Sequence, residues 1–133
     1  MTRMRLLTLL GIALLVGSGA LMRTSHAQEG KGQLLRHVVL FTFTDDATPA
    51  QVDSIVAGFR ELPKKIPGIV AFEWGTNNSP EGLAKGHTHC FLVTFRSEKD
   101  RDVYIPHPEH QAFVATLKPL LKDVTVVDYW TQD

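Results

Sequence analysis

Two stretches of the chain share one pattern. In LLRHVVLFTF, ending at Phe43, the residues His37, Val39, Phe41 and Phe43 fall on one side of an extended strand, and Val38, Leu40 and Thr42 on the other. In HTHCFLVTF, His87, His89, Phe91, Val93 and Phe95 alternate in the same way with Thr88, Cys90, Leu92 and Thr94. Both sides of both stretches are largely apolar, so each strand is expected to be covered on both faces. Between them, TPAQVDSIVAGFRELPKKI reads as a helix that starts with Thr48 as N-cap and Pro49 at the first helical position. Val52, Ile55, Val56, Phe59 and Leu62 recur at helical spacing and form its apolar stripe. Pro63 and the Pro67-Gly68 pair are expected to end it.

The remaining elements follow from caps and breakers. IVAFEWGTN predicts a second strand, NNSPEGLAKG a loop, and HTHCFLVTF the third strand. Ser97, with Asp100 three residues on, predicts a short helix over SEKDRDVYI. Pro106 and Pro108 interrupt it, and PEHQAFVATLKPLL predicts the last helix, with His107 near its N-cap, before a fourth strand at VTVVDYW. The order βαββαβ predicts an α+β protomer of ferredoxin-like topology, an antiparallel four-stranded sheet with helices on one face. Its other face would present Val38, Leu40, Cys90 and Leu92 to water. A second copy of the sheet is the economical cover, giving a homodimer through the sheet.

Length adds little beyond one domain, since 133 residues do not ordinarily divide into two cores. The N-terminus changes the picture more. Arg3 and Arg5 precede the apolar run Leu6–Val16, and SHA at Ser25–Ala27 satisfies the small-x-small rule for signal peptidase. Residues 1–27 are therefore expected to be a signal peptide and 28–33 a flexible tether, with the domain at 34–133 and the mature protein secreted or periplasmic. Gly17, Ser18 and Gly19 interrupt the run before it reaches the roughly 20 residues of a membrane span. Cleavage leaves 11 basic and 14 acidic side chains, a formal charge of −3. That balance argues against nucleic acid and against membrane-surface binding as partners. A single cysteine, Cys90, allows no internal disulfide and reads as a small buried hydrophobe.

Candidate chemistry concentrates in YIPHPEH, Tyr104–His110. Three uses of this segment stand side by side. His107 can cap the last helix, while His37 and His89 satisfy hydrogen bonds in the helix-facing layer. Alternatively, His110 can act as a general base while Tyr104 donates a hydrogen bond to a carbonyl oxygen as enolate charge develops. As a third use, His87 and His89 on one strand face could join His107 and His110 around a metal. No HExxH and no paired cysteines support that last use, and neither metal nor cofactor is expected.

RHVVLFTF, THCFLVTF and YIPHPEHQAF, in this order and spacing, resemble the stress-responsive A/B barrel (Dabb) family from about Leu35 to Trp130. The resemblance implies a dimeric α+β barrel of ferredoxin-like protomers. The family is functionally mixed and includes a plant polyketide cyclase in which a tyrosine and a histidine six residues apart line a cavity between helices and sheet. Tyr104 and His110 match that pair, and His37, His89 and His107 match other histidine positions of the family. The resemblance further implies a pocket walled by Val39, Phe41, Ile55, Val56, Phe59 and Phe91 for a small apolar or phenolic ligand. If the protein is an enzyme, it implies a cyclase or isomerase acting on a small keto compound.

Overall fold

A computed structural model describes residues 32–132. The expected signal peptide and most of the tether lie outside these residues. The elements are β1 (Leu35–Phe43), α1 (Pro49–Lys65), β2 (Ile69–Thr76), β3 (His89–Phe95), α2 (Glu98–Tyr104), α3 (Pro108–Leu117), a 3₁₀ turn (Lys118–Leu120) and β4 (Leu121–Trp130). The four strands form one antiparallel sheet in the order β2-β3-β1-β4. This is the expected ferredoxin-like α+β fold.

Each helix begins where its cap requires. The Thr48 hydroxyl accepts from the Gln51 N–H while the Gln51 side chain accepts from the Thr48 N–H, a complete capping box ahead of Pro49. Ile55, Val56, Phe59 and Leu62 of α1 are buried against the sheet. The Phe59 ring lies 4.7 Å from Phe91 and 4.8 Å from Phe113 of α3. With Leu35, Val39, Phe41, Val93 and Phe95, these side chains make the core between helices and sheet. Complete burial of one such aromatic is worth about 1.5–3 kcal/mol, so this layer holds the protomer together.

Two local expectations are corrected. Pro63 does not end α1, which continues to Lys65. Proline forfeits only one hydrogen bond in the last turn, and burial of Leu62 and Ile66 holds that turn on the core. The chain then reverses at Gly68, whose φ of +97° suits glycine, and a Cβ there would come within 3.0 Å of Asp100. The other correction concerns β3, which begins at His89 rather than His87. Lys85 and Gly86 both have positive φ, at 56° and 87°, and turn the chain just before the strand. Alternation therefore does not extend back to His87.

On the helix-covered face the roof is incomplete over β4. Register places Val124 beside Phe41 and Val126 beside Val39, yet these valines are 45% and 53% exposed.

Candidate functional site

Ser97 caps α2 by accepting from the Asp100 N–H, and the seven-residue helix ends on Tyr104. Three residues later the His107 ring caps α3, its Nδ1 accepting from the Glu109 N–H at 3.2 Å. Pro108 takes the first helical position, and the first turn of α3 then brings His110 over Tyr104 with ring centroids 4.3 Å apart. From the sheet side, His37 approaches the same phenol edge-on at 5.8 Å, and Phe95 packs at 5.3 Å.

Tyr104 is fully buried and its hydroxyl has no hydrogen-bond partner among the described residues. An unpaired buried polar group costs about 1–3 kcal/mol. The hydroxyl can donate a hydrogen bond to an acceptor brought up to it. Burial pushes the phenol well above its ordinary value of 10, so it stays protonated. His110 donates its Nδ1–H to the Ile105 carbonyl at 2.8 Å, which leaves Nε2 with the lone pair of the neutral ring. Burial lowers the His110 pKa, opposed by that hydrogen bond and reinforced by the nearby His37 and His107. A neutral base therefore sits against a neutral O–H donor.

His37 is held by a partner that sequence reasoning missed. Its Nδ1 donates to the Asp128 carboxylate at 2.7 Å, and the other Asp128 oxygen accepts from Arg101 at 3.1 Å. The ring thus has a fixed tautomer with Nε2 unprotonated when neutral. Asp128 did carry a signal: it is a carboxylate directly after the apolar pair Val126-Val127 inside a strand. The partly unroofed side of β4, Val124 and Val126, runs along the same face to Asp128 and gives the cluster an apolar approach.

The other expected site residues lie elsewhere. Phe41 pairs with His89 and His37 with Val93, so the two histidines are separated by four strand residues, about 13 Å. His89 stacks near Trp74 with rings 5° from parallel and meets Phe43 edge-on at 5.1 Å. Burial lowers its pKa, with Asp53 opposing. Val39, Phe41, Ile55, Phe59 and Phe91 are core residues at 6% exposure or less, as is Val56. They pack on one another and support the cluster from below.

His87 and His89 do not share a face, contrary to the expectation from alternation. The His87 ring hydrogen-bonds Thr42 and Thr125, at 3.0 and 2.9 Å, on the side of the sheet away from the helices. Among the described residues no three His, Cys, Asp or Glu side chains are grouped to hold a metal ion. That open face carries a cleft of about 600 Å³, walled in part by Val38, Leu40, Leu92, Cys90 and Glu73.

Comparison with known proteins places this arrangement. Over 102 residues the chain is 36% identical to the stress-response A/B barrel domain-containing protein HS1 of Arabidopsis thaliana, spanning 77% of this chain and 93% of that one. Olivetolic acid cyclase of Cannabis sativa is 27% identical over 95 residues, 71% of this chain and 94% of the cyclase. Among solved structures, the hydroxynitrile lyase of Passiflora edulis superposes with a TM-score of 0.71 at 26% identity, covering 75% of this chain and 94% of the lyase. A dimeric ferredoxin-like protein from Thermobifida fusca gives 0.64 at 29% identity, covering 76% and 93%. The family model for the stress responsive A/B barrel domain matches residues 35–131, from the first residue of β1 to just past the end of β4. With the fold, the strand pattern and the helix-capping segment all inside that match, the chain belongs to the stress-responsive A/B barrel domain family.

Proposed function

We propose that this chain is an exported, homodimeric member of the family that binds a small carbonyl compound at Tyr104, His110 and His37. The observation that carries the reading is the buried, unpartnered Tyr104 hydroxyl beside an unprotonated His110 Nε2. A carbonyl oxygen is the acceptor that hydroxyl lacks, and the apolar remainder of such a ligand can lie along Val126 and Val124. Dimerisation through the open sheet face is supported by its apolar residues and by the dimeric solved neighbours. Export rests on the N-terminal arginines, apolar run and SHA tripeptide, and N-terminal sequencing of the protein from its native host tests it. A mature chain starting at Gln28 is expected, and an intact Met1 on the soluble protein overturns it.

Catalysis is a second reading, favoured by the free lone pair on His110. Removal of a proton next to the bound carbonyl by Nε2, with Tyr104 donating to the developing enolate oxygen, fits a cyclase or isomerase reaction. One relative is named a cyclase and another a lyase. Native mass spectrometry of the purified protein is expected to find a co-purified small carbonyl compound. Binding of that compound to Tyr104→Phe and His110→Gln variants, and its turnover by the wild type, then separate the readings. Loss of stability without loss of binding in both variants overturns the site.

A further inference from the structure

The open face of the sheet is apolar at its centre but carries three ionised side chains, Arg36, Glu73 and Asp123. Register puts Arg36 of β1 between Thr94 and Tyr129, and Glu73 of β2 beside Leu92. Both therefore share a face with Val38, Leu40 and Val127. The Arg36 guanidinium lies over the sheet and donates to the hydroxyl of Thr94, which is 1% exposed. Glu73 walls the cleft, close enough to Cys90 that its negative charge, after burial, raises the thiol pKa. Neither residue has an ion-pair partner within the protomer among the described residues.

If a second copy covers this face, both charges leave water, and a buried unpaired charge strongly disfavours association. A two-fold interface offers a remedy, because residue i meets j while j meets i. One cation and one anion per protomer, at different places on the face, then make two pairs. We infer that the open face docks a second copy of this chain in the register that places Arg36 of each protomer against Glu73 of its partner, and that these reciprocal pairs decide which chains assemble. The inference rests on the homodimer reading above and adds the residues that select the partner. The face has another carboxylate, Asp123, which register places beside Thr42. Its Oδ1 already accepts from the Val124 N–H, at the far end of the strand from Arg36.

Charge exchange in the full chain tests this. Arg36→Glu sets glutamate against Glu73 twice, and Glu73→Arg sets arginine against Arg36 twice. Each variant alone is expected to weaken the homodimer by about 100-fold or more, within the range of coupling seen for close interfacial charge pairs. Mixed together, with one of them ¹⁵N-labelled, the two are expected to form a heterodimer by native mass spectrometry, with affinity restored to within about tenfold of wild type. An Asp123→Arg chain is not expected to rescue Arg36→Glu, and rescue by it instead of by Glu73→Arg overturns the assignment. Should the charge reversals unfold the protomer by circular dichroism, Arg36→Gln, Glu73→Gln and the double variant form a cycle. The double variant is expected to be no weaker than the worse single, and additive losses overturn the pair. A wild-type dimer indifferent to both reversals removes the ion pair and keeps the interface. A monomeric wild type removes both.

Discussion

Phe91 and Leu92 are neighbours on one strand, both apolar, and they lead different lives. Phe91 is fully buried under Phe59 and beside Phe41. Leu92 points the other way, into a cleft that its own protomer leaves open. Hydrophobic alternation reports that a face shuns water but not what covers it. Here one face is covered by the chain's own helices, and the other is the face on which the proposed second copy would dock.

The sharpest way to break that comparison is to truncate each neighbour. Phe91→Ala should cost about 3–5 kcal/mol of protomer stability, the range for a large core aromatic, read from denaturant unfolding. Leu92→Asp should leave the protomer folded by circular dichroism and abolish the dimer in sedimentation experiments, because it puts an unpaired charge between two sheets. A Leu92→Asp chain that unfolds outright, or that stays dimeric, erases the distinction between the faces.

Smaller effects sharpen the same contrast within the helix-covered side. Phe41 and Phe91 are satisfied by packing, whereas the Tyr104 hydroxyl has no partner among the described residues. Tyr104→Phe should therefore leave stability unchanged or raise it by about 1 kcal/mol, since it removes a buried group without a partner. Affinity for a carbonyl ligand should fall in the same variant. A marked drop in melting temperature would show that the hydroxyl is paired after all.

The smallest effect is a pH dependence. Burial holds His110 below its unfolded value of 6.5, so between 6.5 and the folded value the unfolded chain binds more protons. Stability should decline as pH falls through that window and then level off. His89 acts in the same direction. Melting curves of His110→Gln against wild type should show a shallower decline, and a decline of unchanged slope would remove His110 from the account.

What the chain disclosed by itself was whatever depends on near neighbours. Thr48-Pro49, Ser97 and His107-Pro108 each mark a helix start through contacts within three residues, and all three starts are observed. The two faces of β1 are likewise observed as read, with His37, Val39 and Phe41 buried on one side. His87 was misplaced because it closes the turn through Lys85 and Gly86, its N–H bonded to the Ala84 carbonyl, and pattern counting has no access to backbone handedness. Asp128 escaped for another reason: it lies 91 residues from His37, and only the β1–β4 register brings them together. Tyr104 and His110 lie close in the chain and their rings meet, whereas His89 shares their face but is carried to the other end of the sheet.

The outer strand carries one further implication. Among the described residues β4 hydrogen-bonds to β1 alone, so there its other edge offers free backbone donors and acceptors beside Val124, Val126 and Val127, all about half exposed. An apolar strand with an open edge is a template on which another chain can add. Lys122, Asp123 and Asp128 interrupt the strand with charge, the usual brake on such growth. Neutralising them should shorten the time the heated or freshly synthesised protein stays in solution before it aggregates.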